Sequence, residues 1–107
     1  MSKLTTIKCK PCEGMVSALK PNEYKVYCEM VTGWLVIEET RIEKTFEFKN
    51  FAKALVFINK VWELAESENH HPDILLFSYR KVKIILMTHA IKGLSVNDFI
   101  VAAKIDE

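Results

Sequence analysis

Two adjacent histidines with a carboxylate upstream concentrate acid–base chemistry in one short stretch of this chain. His70 and His71 are followed by Pro72, and Glu66 lies four residues before His70. The third histidine, His89, comes after a segment that alternates like a β-hairpin. Imidazole titrates near neutral pH, so one ring can deliver a proton while another accepts one. The chemistry therefore depends on whether the fold returns His89 to the pair.

The hairpin predicted between the histidine pair and His89 supplies that return. Its turn is predicted at Arg80-Lys81, a register in which Pro72 faces His89 across the two strands. Directly opposed residues of antiparallel strands lie roughly 4.5–5.5 Å apart. Glu66, on the last turn of the preceding helix, can point toward the same place. The spacing thus predicts one site that contains all of these side chains.

The elements that must position this site follow from hydrophobic periodicity. In chain order they are a helix at 20–30, strands at 34–38 and 41–48, a helix from 51 to about 69, strands at 74–79 and 82–89, and a helix from 96 to near the C-terminus. The short links favour an α+β domain: a four-stranded antiparallel sheet with helices on one face, in the order α-β-β-α-β-β-α. Residues 1–19 are predicted to form an extended N-terminal arm, and residues 20–107 a single domain.

Capping residues mark the starts of the two later helices. Asn50 is a good N-cap for the long helix, whose apolar stripe indicates that Phe57 and Trp62 are core aromatics. Ser95 is the predicted cap of the last helix, with Asp98 in its first turn close to a capping box. This pattern predicts a structural role for Asp98, namely to stabilise the start of the last helix.

Composition excludes several classes of protein. The chain has 107 residues, a formal net charge of +1, 50% hydrophobic and 27% charged residues, which is typical of one globular domain. The balanced charge gives no basic footprint for nucleic acid. No apolar run approaches the roughly 18–20 residues of a membrane span, and the N-terminus lacks the apolar core of a signal peptide, so we expect a cytoplasmic protein.

The three cysteines are too few for a disulfide framework, and we expect thiols in a reducing compartment. Cys9-x-x-Cys12 has the spacing of half a zinc site or of a redox pair. A second pair of ligands is missing, so two thiols in a loop are the favoured interpretation.

Three interpretations of the histidine cluster stay open on spacing alone. Three imidazoles and one carboxylate could ligate zinc, although the adjacent His70 and His71 do not converge easily on one ion. The same groups could carry out acid–base catalysis. They could also be ordinary polar residues of a surface loop, which weighs about as much as catalysis and more than metal binding.

The spacing resembles the signature of the pterin-4a-carbinolamine dehydratases. The signature residues are Glu66-x3-His70-His71-Pro72-x6-Tyr79-x9-His89-x8-Asp98. Further similar motifs, spread over nearly the whole chain, are Gly33-Trp34, Phe46-x-Phe48-Lys49-Asn50-Phe51, Thr88-His89, Gly93-Leu94-Ser95-x-x-Asp98 and the leader Cys9-x-Pro11-Cys12-Glu13-Gly14. The resemblance implies the α-β-β-α-β-β-α fold reached above from periodicity.

The resemblance also implies an enzyme that dehydrates 4a-hydroxytetrahydrobiopterin to quinonoid dihydropterin, which recycles the pterin used by aromatic amino-acid hydroxylases. No metal and no organic cofactor are implied. The implied catalytic residues are His70 and His89 as the acid–base pair, His71 as an assisting or binding group, and Glu66 as an orienting or polarising carboxylate.

Four further residues are implied as substrate-binding. Asn69 and Pro72 would shape the loop, Thr88 could hydrogen-bond the pterin ring, and Trp34 could offer an apolar wall or be a buried structural residue. The implied partners are a pterin and further copies of the chain in a homodimer or homotetramer, with no direct nucleic-acid or membrane contact. The alternative function is a non-enzymatic binding module for assembly or transcriptional coactivation, because some family members have such roles.

Overall fold

Helices and strands follow one another in the predicted order α-β-β-α-β-β-α. The computed structural model describes residues 3–9 and 17–107. Its helices and strands are α1 (Pro21–Met30), β1 (Leu35–Ile37), β2 (Arg41–Glu47), α2 (Phe51–Glu68), β3 (Asp73–Phe77), β4 (Lys81–Leu86) and α3 (Val96–Asp106). Two short 3-10 helices, Lys3–Thr6 and His89–Ile91, complete the described elements.

The four strands form one antiparallel sheet with the spatial order β1-β2-β4-β3. Alternate side chains of the central strands are fully buried beneath the helices, among them Ile42, Val82 and Ile84. The opposite face is much more open, since Leu35 is 66% and Leu75 is 49% exposed. One covered face and one open face are what alternating strands produce, and the predicted fold class is confirmed.

The turn between β3 and β4 differs from the prediction. Ser78 and Tyr79 both adopt left-handed backbone conformations, with φ of 49° and 50°, and Arg80 completes a three-residue loop. Asp73 therefore faces Ile85, a register three residues away from the predicted one. The turn predicted at Arg80-Lys81 is wrong because residues without the usual turn chemistry occupy the positive-φ positions, which normally favour Asn or Gly.

The end of β4 also departs from the prediction of a strand that continues to His89. The strand ends at Leu86, and His89 opens a 3-10 helix instead. Thr88 and Gly93 close this short loop with two backbone hydrogen bonds, 2.8 Å from Thr88 N to Gly93 O and 3.4 Å in the other direction. The predicted pairing of Pro72 with His89 across two strands is therefore wrong, and a pinned loop presents His89.

The long helix α2 begins and ends as predicted. The Asn50 side chain accepts a hydrogen bond from Lys53 N at 2.9 Å, and Asn69 ends the helix with a left-handed φ of 53°. Phe57 packs against the core, but Trp62 is 50% exposed, so its prediction as a core aromatic is wrong. No helix within the described residues is long and apolar enough to cross a membrane.

The described part of the N-terminal arm is held against the domain. Residues Lys3–Thr6 form a 3-10 helix within the segment predicted to be extended, and Leu4 is only 3% exposed in the hydrophobic core. Cys9 then lies partly buried beside the last turn of α2 and the start of α3. The arm therefore contacts the two helix ends that carry the candidate site.

Candidate functional site

A fully buried carboxylate lies at the centre of the site. Asp98, in the first turn of α3, is 0% exposed and accepts three hydrogen bonds. Its Oδ2 accepts from Ser95 N at 2.9 Å and from the Thr88 hydroxyl at 2.8 Å, and its Oδ1 lies 2.7 Å from His70 Nε2. A buried carboxylate is tolerated when its oxygens are satisfied in this way. Asp98 thus joins the end of α2 and the end of β4 to the start of α3.

Contact with Asp98 sets the tautomer of His70. A carboxylate can only accept hydrogen bonds, so the proton of the 2.7 Å contact resides on His70 Nε2. The His70 side chain is 11% exposed, and its Nδ1 has no partner among residues 3–9 and 17–107. A histidine whose one nitrogen is held by a carboxylate presents the other for proton transfer, as in other oriented imidazoles.

The backbone also fixes His70. Its N–H donates to Ala65 O at 3.1 Å, which is the long bond of a Schellman-type helix ending, and Asn69 in its left-handed conformation makes this possible. Pro72 follows His71 and leads into β3. The two residues predicted to shape the loop are therefore placed where the chain leaves α2 and enters the sheet.

Thr88 connects His89 to the same carboxylate. The Thr88 side chain is buried, and its hydroxyl lies 2.7 Å from Ser95 Oγ as well as 2.8 Å from Asp98. His89 is the next residue and is exposed, with no hydrogen bond of its side chain to the described residues. The Thr88 hydroxyl that was predicted to contact a pterin ring is therefore engaged inside the protein, while His89 is free to face solvent or a ligand.

His71 and Glu66 form a second, more open pair. His71 Nε2 lies 3.5 Å from Glu66 Oε1, and the two side chains are 55% and 68% exposed. An exposed pair of this kind contributes only about 0–1 kcal/mol to stability. The pair is available to a ligand without the desolvation cost of the buried His70.

Trp34 lies in a different group of side chains. Its Nε1 donates to Asp106 at 2.9 Å, the residue is 5% exposed, and its ring packs edge-on to Phe46 with ring centroids 6.1 Å apart. Asp106 and Asp98 occupy opposite ends of α3, eight residues and therefore about 12 Å apart along the axis. The structure does not bring Trp34 to His70. A cavity of about 590 Å³ lies at the Trp34 end of α3, with Phe46 and Asp106 in its lining.

No group of three or more His, Cys, Asp or Glu side chains is arranged to hold a metal ion within residues 3–9 and 17–107. Cys9 and Cys28 are free thiols. Cys12, the second cysteine of the predicted half-site, lies outside the described residues, together with most of the leader motif around it.

Sequence reasoning missed the central role of Asp98. Its position three residues after Ser95 correctly indicated a helix start, and the bond from Ser95 N to Asp98 Oδ2 is half of the expected capping box. The same oxygen atoms also serve His70 and Thr88, which no local pattern could reveal because both partners are distant in sequence. The signature spacing was the one indication of a functional role, because it includes Asp98, but it did not say what the carboxylate does.

Comparisons with known proteins identify a family. The family model described as pterin 4 alpha carbinolamine dehydratase matches residues 17–107. A Rubrobacter xylanophilus protein named "Putative pterin-4-alpha-carbinolamine dehydratase" is 44% identical over 106 residues, covering 99% of this chain and 98% of its own length. A protein of the same name from Alkaliphilus metalliredigens is 46% identical over 108 residues, covering 100% of this chain and 96% of its own.

A solved structure is similar over most of the fold. The crystal structure of a transcriptional coactivator/pterin dehydratase from Brucella melitensis superposes with a TM-score of 0.77 at 27% identity, covering 84% of this chain and 96% of that one. The matched family region contains α1 to α3 and every residue of the His70–Asp98 group. The chain therefore belongs to the pterin 4 alpha carbinolamine dehydratase family.

Proposed function

We propose that this chain dehydrates a pterin-4a-carbinolamine, 4a-hydroxytetrahydrobiopterin or a close analogue, to the quinonoid dihydropterin by histidine acid–base catalysis. The observation that carries the proposal is the buried contact of 2.7 Å between His70 Nε2 and Asp98. It orients an imidazole and leaves its second nitrogen available. The names of the relatives supply the substrate class, and the reaction would recycle the pterin used by aromatic amino-acid hydroxylases.

The reaction needs two proton transfers and no change of oxidation state. The C4a–O bond breaks as the hydroxyl oxygen takes up a proton and leaves as water. A ring nitrogen supplies its lone pair to form the C=N bond, and a ring N–H loses its proton. Each positioned acid or base can accelerate such a step by roughly 10²–10⁴-fold. Two imidazoles near neutral pH are suited to the two transfers.

The proposed roles follow from burial and partners. His70, oriented by Asp98, exchanges a proton through Nδ1, and exposed His89 in the pinned loop is the second acid–base group. His71 and Glu66, which contact each other at 3.5 Å, bind and polarise the pterin. The Thr88 hydroxyl donates to the Asp98 oxygen that does not contact His70. We therefore assign Thr88 the role of orienting the Asp98 carboxylate.

Asn69 and Pro72 shape the loop that carries the histidine pair. Trp34 is left outside the proposed site because its indole is buried against Asp106 at the other end of α3. The proposed reaction uses no bound cofactor, because it requires only proton transfer. A cytoplasmic location is also part of the proposal.

The direct test is dehydration of chemically generated 4a-carbinolamine, followed by the absorbance of the quinonoid product. His70→Ala and His89→Ala should each lower kcat/KM by roughly 10²–10⁴-fold while the protein stays folded by circular dichroism. Lys92→Asn is a matched control because it changes an exposed residue of the same loop and keeps its left-handed conformation, φ 52°; it should retain activity. Full dehydratase activity in both histidine variants would contradict the proposed acid–base roles of His70 and His89.

A second candidate function is a binding module for assembly or transcriptional coactivation. It is favoured by the description of the Brucella melitensis protein as a transcriptional coactivator as well as a pterin dehydratase. Capture of a protein partner that survives His70→Ala would support this role as separate from catalysis. Loss of capture in that variant would tie any partner to the catalytic site.

We also propose that the chain forms a homodimer or homotetramer. The outer side of α2 presents large apolar side chains, with Phe51 48%, Leu55 39% and Trp62 50% exposed. Contiguous exposed apolar surface of this kind commonly marks a protein interface. Sedimentation equilibrium at micromolar concentration should give at least a dimer, and a monomer would contradict the proposal.

A further inference from the structure

The N-terminal arm contacts the histidine-bearing end of α2 although it precedes the region that the family model matches, residues 17–107. Lys8 Nζ donates to Ser67 O at 3.0 Å, and Cys9 N donates to Glu68 Oε1 at 2.8 Å. The Cys9 thiol lies 3.7 Å from Asn97 O at the start of α3. These contacts link the last turn of α2 to the first turn of α3 from the side of the arm.

Glu68 is the shared acceptor of this group. It is the last residue of α2, is 8% exposed, and accepts from Lys104 Nζ at 2.6 Å as well as from Cys9 N. Burial opposes its ionisation, but the Cys9 N–H and the Lys104 ammonium outweigh burial and lower the pKa of Glu68. Burial and then the adjacent carboxylate raise the pKa of the Cys9 thiol to about 12. The charge at this position is therefore on Glu68, and the thiol stays protonated.

The location of Glu68 matters because His70 is only two residues away and is bonded back into the same turn. The His70 N–H reaches Ala65 O at 3.1 Å, so a shift of the last turn of α2 moves the imidazole as well. Within the described residues, a hydrogen bond of His70 with Asp98 and an ion pair of Glu68 with Lys104 join this turn to α3. The ion pair of Glu68 with Lys104 therefore joins the same two elements as the contact of His70 with Asp98.

We propose that Glu68 is a positioning residue for His70, and that Lys104 and the arm through Cys9 hold it in place. Glu68 itself touches no reacting atom in this scheme. It keeps the imidazole within hydrogen-bond distance of Asp98. The inference rests on the proposed dehydratase function for its catalytic consequence, but the geometric part can be measured without any activity.

The test compares Glu68→Leu, Lys104→Met and Glu68→Gln with the unaltered protein. Glu68→Leu and Lys104→Met remove the contact between the helices and should lower kcat roughly 10-fold, within the ~10²-fold that a 1 Å misplacement can cost. KM should change little, because neither residue reaches the substrate. Glu68→Gln keeps an acceptor for Cys9 N, so its kcat should lie between that of the unaltered protein and those of Glu68→Leu and Lys104→Met.

The spectroscopic readout is the NMR signal of the His70 Nε2 proton, which its bond of 2.7 Å to Asp98 should shift downfield and protect from exchange. In Glu68→Leu this signal should broaden or vanish. Lys44→Met is the matched control, since it removes the ion pair of 2.8 Å with Asp106 at the far end of α3. It should preserve both the signal and kcat at a comparable loss of thermal stability.

The possible outcomes separate the two proposals. An unchanged signal and unchanged kcat in Glu68→Leu would overturn the positioning role, as would an equal loss of both in Lys44→Met at matched stability. If the unaltered protein lacks dehydratase activity, the proposed function fails while the NMR comparison still decides the positioning role. If Glu68→Leu does not fold, Glu68→Gln and Lys104→Met carry the same comparison.

Discussion

Replacement of Asp98 by asparagine should separate activity from stability. The oxygen of an asparagine side chain can occupy the Oδ2 position and still accept from Ser95 N and the Thr88 hydroxyl, which lie 2.9 and 2.8 Å away. The amide nitrogen then replaces Oδ1 beside His70 Nε2. Because an amide N–H₂ only donates, His70 must move its proton from Nε2 to Nδ1.

The size of each effect follows from this exchange. All three hydrogen bonds can persist in Asp98→Asn, but each becomes a neutral bond, which is roughly 1 kcal/mol weaker than a bond to a charge. Burial of a neutral amide costs less than burial of a carboxylate, which offsets much of this loss, so the free energy of unfolding should fall by about 1 kcal/mol net. That corresponds to a melting temperature roughly 4 °C lower for a domain of this size. Loss of the oriented tautomer should lower kcat/KM by about 10²–10⁴-fold, or roughly 2.7–5.5 kcal/mol of transition-state stabilisation.

Three measurements check the prediction: dehydration kinetics, thermal unfolding, and the ¹⁵N shifts of the His70 ring, which report the protonated nitrogen. Asp98→Ala provides the comparison, because it leaves Ser95 N and the Thr88 hydroxyl without the acceptor and should lose stability as well as activity. If folded Asp98→Asn retained kcat/KM within about threefold, an effect below 1 kcal/mol, the orientation of His70 by Asp98 would have no catalytic role.

Three further predictions concern the turn, the arm and the response to acid. Tyr79→Gly should raise the melting temperature by about 4 °C, because Tyr79 has a left-handed φ of 50° and its exposed side chain (62%) packs little. Relief of ~1–2 kcal/mol of left-handed strain exceeds the ~0.5–1 kcal/mol entropy cost of glycine. A melting temperature below that of the unaltered protein would contradict this. The Cys9 thiol, with a pKa of about 12, should react with iodoacetamide at pH 8 about 10³-fold more slowly than in the urea-unfolded chain, as peptide mass spectrometry can measure. Because the pKa of Glu68 is lowered from 4.5, its stabilisation is present above pH 4.5 and disappears as the pH falls through the folded value, so melting curves of the unaltered protein and Glu68→Gln should converge in acid.

The order of the elements could be predicted because it depends on local patterns. Period-two alternation in β4 buries Val82, Ile84 and Leu86, and a capping side chain at Asn50 starts α2 as expected. Such signals act over a few residues and need no knowledge of distant partners. The fold class followed from them together with the short connections.

The register of the second hairpin could not be predicted from the same patterns. Ser78 and Tyr79 occupy positive-φ positions that sequence rules assign to Asn or Gly, and the first hairpin has the same feature at Glu38 and Glu39, with φ of 52° and 58°. Sheet pairing imposes these conformations against local preference. Trp62 was misassigned for a related reason, since several apolar stripes fit α2 and only the packed molecule selects the buried one.

The proximity of some signature residues was predicted, but the hydrogen bonds among them were not. The signature includes His70, His89 and Asp98. The fold brings His70 into contact with Asp98, and His89 directly follows Thr88, whose hydroxyl donates a hydrogen bond to Asp98. The strand pairing used to bring His89 back was wrong, although the loop closed by Thr88 and Gly93 holds it next to Thr88. Hydrogen bonds between residues far apart in sequence decide these details.

The position of Asp98 at the start of the last helix has a consequence during protein synthesis. The carboxylate that orients His70 belongs to α3, which follows both histidine-bearing segments in the chain. Domains emerge from the ribosome N-terminus first, so both histidine-bearing segments exist before their orienting group. A nascent chain therefore lacks the group that orients His70 until α3 has emerged and packed its buried Phe99 and Ile100 into the core. The onset of activity during refolding would report this docking of α3.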